Sequence, residues 1–192
     1  MRTMLRGRRV CLRPVERSHL PQLQAWFSQY ELMRVLNPAA IKLVNKEAEE
    51  AWFESTQKIA DQFMFAVMLD EDRLIGTMSL FKVDGKNRSC TLGVSIADPT
   101  AQGQGHGSEA LGLIMEFGFL ELNLNRIQLF VMEFNPRARQ LYERLGFKLE
   151  GSLRQAIFRE GRYWDEHVMS VLREDYSPDP HWGLSASLGA SS

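Results

Sequence analysis

The chain lacks the features that mark secreted, membrane-spanning and nucleic-acid-binding proteins. Cys11 and Cys90 are its only cysteines, and their wide separation gives neither a disulfide framework nor a zinc motif. No apolar run approaches the ~18 residues that a membrane-spanning helix requires, and no apolar segment typical of signal peptides follows the N-terminal arginines. The net charge of -1 exerts no overall attraction on nucleic acid or anionic membranes. These absences predict a cytoplasmic protein without nucleic-acid or membrane partners.

Histidine and lysine are also sparse where a metal site or a nucleotide site would need them. The four histidines are scattered and form no ligand set, so we expect no bound metal. His106, within a glycine-rich stretch, is interpreted as an exposed spacer. No lysine occurs between Lys86 and Lys148, which excludes a P-loop from this part of the chain.

The composition of the chain is typical of a globular protein, with 44% hydrophobic and 24% charged residues,. Its length predicts a single domain, which we assign to residues 1–176. Residues 177–192 contain no lysine or arginine and are rich in serine, glycine, alanine and proline. This segment is therefore predicted to be a disordered tail that the fold does not need.

Apolar periodicity predicts alternating strands and helices. The predicted strands are residues 8–13, 63–69, 74–83, 90–97 and 126–132, followed by extended pieces at 147–150, 156–159 and 167–172. The predicted helices are residues 18–30, 45–62, 108–122 and 137–145, with Ser18 and Asn45 as helix caps. Because three strands run together in the middle, we predict an α/β fold with a mixed, mostly antiparallel central sheet flanked by helices.

A glycine-rich loop separates the strand at 90–97 from the next helix. Gly103, Gly105 and Gly107 let the backbone turn tightly and approach a ligand, and the helix that follows presents unpaired N–H groups and a positive dipole end. This arrangement is typical of a phosphate site. A dinucleotide fingerprint is excluded because its third glycine would fall on Ser108,.

Two motifs carry a family resemblance. Gln102-x-x-Gly105-x-Gly107 resembles the acyl-CoA loop of the GCN5-related N-acetyltransferase (GNAT) superfamily. One helix and one strand later, Asn135-x-x-Ala138-x-x-x-Tyr142-x-x-x-Gly146-Phe147 is similar to a second GNAT signature. The resemblance covers residues 8–175, and residues 151–154 and 160–165 look like the branch that contains RimJ/RimL-like ribosomal-protein Nα-acetyltransferases and spermidine acetyltransferases. It implies a single-domain GNAT fold with acetyl-CoA as co-substrate.

The resemblance also implies which residues hold acetyl-CoA. Loop N–H groups would bind the pyrophosphate, and the preceding strand would pair with the pantetheine arm. Asn135 would bind the pantetheine or the loop, with a helix-capping role as its alternative. Arg139 would reach a phosphate, with a solvated helix face as its alternative. The residues implied are Val94, Ile96, Ala97, Gln102, Gly103, Gln104, Gly105, His106, Gly107, Ser108, Asn135 and Arg139.

Catalysis needs an acid for the leaving thiolate and a route for the amine proton. By resemblance Tyr142 is the acid, with core packing as its alternative role. Many relatives carry a glutamate on the fourth strand as the base, but Thr91 stands at that place here. Glu31, Glu54 and Ser95 remain alternatives, as does a relay through water.

The expected acceptor is a primary amine. An α-amino group, with a pKa of ~8, is neutral more often at neutral pH than a lysine-like amine with a pKa of ~10.4. This asymmetry favours a protein or peptide N-terminus. A small amine, such as a polyamine or an amine antibiotic, and a non-catalytic acyl-CoA-binding module are the alternatives. A homodimer is left open.

Overall fold

The computed structural model describes residues 5–36, 38, 41, 45–70 and 72–177. One eight-stranded sheet crosses the molecule in the order β1-β2-β3-β4-β5-β6-β8-β7. The strands are β1 (Leu5–Arg6), β2 (Val10–Pro14), β3 (Phe63–Leu69), β4 (Arg73–Asp84), β5 (Ser89–Ile96), β6 (Arg126–Met132), β7 (Lys148–Arg159) and β8 (Arg162–Leu172). The helices are α1 (Leu20–Phe27), α2 (Tyr30–Leu36), α3 (Lys46–Thr56), α4 (His106–Glu116) and α5 (Pro136–Arg144).

The sheet is mixed and mostly antiparallel, which confirms the predicted fold class. Neighbouring strands pair antiparallel except β5 and β6, which are parallel. That parallel pairing joins only residues 89–91 to residues 126–128. β5 then continues to Ile96 and β6 to Met132 without a shared ladder. The two strands therefore separate toward their C-terminal ends and leave a gap in the sheet.

The first predicted helix differs from the structure at both ends. A 3-10 turn covers Arg17–His19, and its cap is Glu16 rather than Ser18. The backbone N–H of Glu16 donates to Nδ1 of His19 over 3.0 Å. Pro21 then stands in the first turn of α1, where its missing N–H costs nothing,. α1 ends at Phe27, and α2 is a separate helix.

Two other helices have bounds that the pattern misjudged. Asn45 caps α3 as predicted, because its side chain accepts the Ala48 N–H over 2.9 Å. However, α3 ends at Thr56, well before residue 62. α4 begins at His106, two residues early, and runs into a π-helical turn at Phe117–Glu121.

The C-terminal hairpin is longer than the three short pieces predicted. β7 and β8 pair along nearly their whole length, with register shifts between Leu149 and Gly151 and between Leu153 and Ile157. Residues 148–156 are exposed, and they lack the apolar alternation that identifies a strand in a sequence. Their extended conformation depends instead on pairing with β8. The turn at Glu160 and Gly161 has positive φ at both residues, which suits a tight hairpin.

Apolar side chains fill both faces of the sheet. The larger core packs against α4 and α5, and the smaller one packs against α1 and α3. Cys90 lies in the larger core and Cys11 in the smaller, and both thiols are buried. Burial raises the pKa of the Cys90 thiol to about 12, so it behaves as a small apolar residue.

Two sequence predictions concern features beyond the sheet. No helix within the described ranges has the length and apolar character needed to cross a bilayer. The predicted tail lies, apart from Ser177, outside the described residues, so its dispensability stays a prediction.

Candidate active site

A cleft of about 1040 Å³ opens where β5 and β6 separate. The glycine loop and α5 line one end of it, and α2, β6 and β8 line the other. Because the strands do not pair here, β5 backbone groups that would otherwise bond to β6 have no ladder partner in that strand. The sequence-predicted residues that line the cleft are Val94, Ser95, Ile96, Gln102, Gly103, Gly105, Gly107, Ser108, Asn135 and Tyr142.

The glycine loop has the backbone shape that an anion site needs. Gly103 and Gly105 have φ of 78° and 85°, a region that side chains disfavour. Gly105 is the N-cap of α4, and no side chain caps that terminus. The first N–H groups of α4 therefore remain available to a ligand, and the helix dipole adds positive charge there. This end of the cleft fits the pyrophosphate of a CoA ester.

Side chains on both flanks brace the loop. Nε2 of Gln102 donates to the Ile96 carbonyl over 2.8 Å, which ties the loop to the end of β5. Nη1 of Arg9 donates to the Gln104 carbonyl over 2.9 Å, and its Nε lies 3.2 Å from the buried Glu109 carboxylate. Gln102 and Arg9 thus contribute by holding the backbone in shape, and Arg9 is an ordered part of the site rather than a free terminal charge.

Asp98 orders the chain just before the loop. Its carboxylate accepts the Thr100 N–H over 2.9 Å and the Arg73 guanidinium over 2.6 Å. Burial opposes its ionisation, but the hydrogen bonds from Thr100 and Arg73 outweigh burial and lower the pKa of Asp98. A carboxylate that stays ionised keeps this turn in place at neutral pH.

Three of the strand and loop residues predicted to bind CoA do not line the cleft. Ala97 is buried, and its N–H donates to the Ile75 carbonyl over 2.9 Å. His106 is 5% exposed, with Nδ1 3.2 Å from the Ala101 carbonyl oxygen, so it is not an exposed spacer. Gln104 turns its side chain toward the Thr100 carbonyl. If these three residues bind CoA as predicted, they can do so only through their backbone groups.

Two arginines on α5 have different surroundings. Arg139 pairs with Glu143 over 2.9 Å and does not line the cleft. Arg137 does line it, and its Nη2 lies 3.3 Å from where a Cβ on Gly103 would be. Sequence reasoning missed Arg137, although its place in the first turn after Asn135 could have indicated it. Of these two arginines, Arg137 is therefore the better placed for a phosphate.

Asn135 is the N-cap of α5. Its Oδ1 accepts the Ala138 N–H over 3.2 Å, which is the capping alternative considered from the sequence. It also lines the cleft, so a contact with the pantetheine stays a prediction.

Tyr142 lines the cleft and is 7% exposed. Its ring packs near Phe147, with 5.9 Å between ring centroids. Burial raises the pKa of its hydroxyl to about 12, so the hydroxyl is protonated at neutral pH. Within the described part of the chain this hydroxyl has no hydrogen-bond partner. It can therefore donate to a bound group.

The three base candidates lie in different places. Glu31 is exposed on α2, 3.7 Å from Arg34, and does not line the cleft. Glu54 pairs with Arg17 at the surface and is also absent from the cleft. Ser95 lines the cleft, and its buried Oγ has no partner among the described residues. The structure brings only Ser95 to Tyr142's cavity.

Glu166 on β8 is a cleft residue that sequence reasoning missed. Of the described residues that line the cleft, it is the only one with a carboxylate. Its register partners are Met132 on β6 and Leu153 on β7. Burial raises the pKa of its carboxyl group. The predicted strand began at His167, one residue too late to include it.

The family described as acetyltransferase (GNAT) domain matches residues 9–148. The spermidine N(1)-acetyltransferase of Vibrio cholerae is 31% identical over 146 residues, covering 69% of this chain and 84% of that protein. The alpha/beta-tubulin-N-acetyltransferase 9 of Mus musculus is 28% identical over 191 residues, covering 90% and 78%. A crystal structure of spermidine N-acetyltransferase from Vibrio cholerae in complex with CoA and spermine has a TM-score of 0.81 and 28% identity, covering 88% of this chain and 98% of that one.

Proposed function

This chain belongs to the GNAT family of acetyl-CoA-dependent N-acetyltransferases, and we propose that its acceptor is a small aliphatic amine with more than one positive charge, such as a polyamine. The relatives favour this acceptor over the protein N-terminus that the sequence alone favoured. The RimJ/RimL-like alternative within the branch is correspondingly less supported.

One observation carries the proposal. A single cleft runs from the uncapped N-terminus of α4 to the carboxylate of Glu166. Its first end suits the phosphates of acetyl-CoA. Its second end combines the apolar residues Leu32, Val35 and Leu36 with one negative charge, which suits an aliphatic chain that carries ammonium groups.

The reaction requires few groups from the protein. The amine nitrogen bonds to the thioester carbonyl carbon, the carbon–sulfur bond breaks, and the nitrogen releases a proton. In the proposed mechanism Tyr142 gives its hydroxyl proton to the departing sulfur and is reprotonated from solvent. An unpaired β5 N–H beyond Thr91 would stabilise the oxyanion,. The amine proton leaves through Ser95 or through water, which completes the balance.

A protein N-terminus is the second candidate. The tubulin acetyltransferase relative from Mus musculus supports a protein acceptor, and an α-amine is more often neutral at pH 7. Glu166 argues against this candidate, because a peptide N-terminus brings a single positive charge, which must be lost before attack.

An acceptor screen tests the proposal. Purified protein with acetyl-CoA would be assayed by CoA thiol release with spermidine, spermine, putrescine, butylamine and short peptides with free N-termini. We expect kcat/KM for the polyamines to exceed that for butylamine and for every peptide by at least about tenfold, ~1.4 kcal/mol of transition-state binding. A preference for a peptide would refute the proposed acceptor and favour the second candidate.

A further inference from the structure

The cleft has two sides because strand residues alternate between the two faces of the sheet. On β5, Leu92, Val94 and Ile96 belong to the core beneath α4 and α5. Thr91, Gly93 and Ser95 consequently point to the opposite face. On β6, Leu129 and Val131 join the same core, so Phe130 and Met132 point away from it.

Glu166 lies on the face away from α4 and α5. It stands directly opposite Met132 in the β6–β8 ladder, and directly opposed residues share a face. Tyr142 instead packs in the core on the α4 side. The gap between β5 and β6 thus has the tyrosine on one side and the carboxylate on the other, and both line one cleft.

The surroundings of Glu166 are apolar. Leu153 on β7 is its other register partner, and Phe130 lies two residues before Met132 on β6. α2 contributes Leu32, Val35 and Leu36 at helical spacing to the same cleft. This half of the cleft can cover methylene groups, but Glu166 alone offers it a negative charge among the described residues.

Glu166 also differs from the other acids of this region in having no partner among the residues that the structure describes. Glu150 pairs with Arg126, Glu160 pairs with Arg34, and Glu133 accepts the Asp165 N–H over 3.0 Å. Within the described ranges no hydrogen bond or ion pair satisfies the side chain of Glu166. Lys82, Arg137 and Arg144 line the cleft too, but none approaches Glu166 within ion-pair distance. An unpaired, partly buried carboxylate is costly, and a cationic ligand would remove that cost.

We propose that Glu166 is the specificity-determining residue of the acceptor site, binding an ammonium group of the amine other than the one being acetylated. The inference rests on the proposed function, since it presumes an acceptor with more than one positive charge. The carboxylate lies on β8, and β6 stands between β8 and the gap where the amine would attack the thioester. It is therefore positioned for the second charge of a diamine rather than for the reacting nitrogen.

The test compares two amines of equal chain length. Putrescine carries a second ammonium group on its fourth carbon, and butylamine carries only hydrogen at that position. In Glu166→Gln we expect kcat/KM for putrescine to fall by about tenfold or more, mostly through KM, because a charge-assisted hydrogen bond is lost. We expect the value for butylamine to change less than about threefold. Glu121→Gln is the matched control, since Glu121 is exposed and outside the cleft.

The possible results separate the inference from the proposed function. Equal losses for putrescine and butylamine would overturn the inference, because the carboxylate would then act on the reacting nitrogen. An unchanged kcat/KM in Glu166→Gln would overturn it too, while polyamine turnover by the wild-type protein would leave the proposed function standing. Failure of the wild-type protein to acetylate any of the polyamines would refute both. Should Glu166→Gln melt earlier than Glu121→Gln, Glu166→Asp repeats the comparison with the charge retained, and an intermediate loss for putrescine alone is expected.

Discussion

The two ends of the cleft are built from different kinds of group. The phosphate end uses the backbone of one continuous segment, from Asp98 to Ser108, with bracing side chains around it. The acceptor end uses side chains from α2, β6 and β8, which are far apart in the sequence. A backbone site suits the part of the co-substrate that never changes. A side-chain site can change its acceptor with a few substitutions, and in the proposed acceptor site that choice depends on Glu166.

The N-termini of α4 and α5 repeat this contrast on a smaller scale. The N-cap of α4 is Gly105, and no side chain among the described residues caps that terminus. The N-cap of α5 is Asn135, whose Oδ1 already accepts the Ala138 N–H. An open helix terminus can bind an anion. A capped terminus already uses an N–H group of its first turn in a hydrogen bond that stabilises the helix.

The largest expected effect lies between the two ends, at Tyr142. In Tyr142→Phe the ring packing stays and only the hydroxyl is lost, so kcat should fall ~10²–10⁴-fold. Acetyl-CoA affinity and the melting temperature should stay near the wild-type values. Steady-state kinetics with the preferred amine and calorimetric titration with acetyl-CoA make the measurement. Near-normal kcat, with chemistry rate-limiting, would leave Tyr142 as a packing residue.

The pH dependence of Tyr142 has a definite sign. Its folded pKa of about 12 lies above the ordinary value of a tyrosine. The protonated hydroxyl therefore makes a contribution to the free energy of unfolding that is fully present below pH ~10. That contribution is lost as pH rises through about 12. Ionisation of this hydroxyl should therefore not limit kcat at neutral pH.

The second-largest effect is expected from a substitution in the glycine loop that weakens acetyl-CoA binding and leaves amine binding unchanged. Gly105→Leu forces a side chain onto a φ of 85°, with its Cβ 3.1 Å from Nη2 of Arg9. Acetyl-CoA affinity should fall at least about tenfold, ~1.4 kcal/mol, while KM for the amine changes little. Gly85→Leu is the control, because a Cβ there meets nothing within 4 Å. Equal acetyl-CoA affinity in both variants would remove the loop from the binding site.

The third effect separates two neighbouring arginines on α5. Arg137→Gln should weaken acetyl-CoA binding about three- to tenfold, because Arg137 borders the glycine loop,. Arg139→Gln removes only the contact with Glu143 and should leave the affinity unchanged. Titration calorimetry on both variants at one salt concentration distinguishes them. A larger loss in Arg139→Gln would restore the assignment made from the sequence.

The smallest effect sharpens the contrast between capped and open helix termini. Asn135→Ala should cost about 1 kcal/mol of unfolding free energy through the lost cap, with little change in KM for acetyl-CoA. Asn45→Ala removes the same kind of cap from α3, away from the cleft. Denaturant unfolding and kinetics are measured on both. A raised KM in Asn135→Ala only would indicate that the amide also touches the co-substrate.

The residues that sequence reasoning located share one property, which is that neighbours along the chain define them. Gly103, Gly105 and Tyr142 stand in contiguous motifs, so they could be found before the fold was known. Glu166 could not be found in this way, because its place depends on the β6–β8 register that sets it beside Met132. Glu31 was proposed from its helix alone, but Leu32, Val35 and Leu36 line the cleft instead.

The sequence by itself determined the strand, glycine loop and helix of the phosphate end, the cap on α3 and the family. These features depend on local backbone conformation, which glycine and asparagine control over a few residues. Only the tertiary structure decided that β5 and β6 separate, that Arg137 rather than Arg139 borders the loop, and that the carboxylate of Glu166 lines the same cleft as Tyr142. Those features depend on strand register and helix orientation, which contacts between distant parts of the chain select.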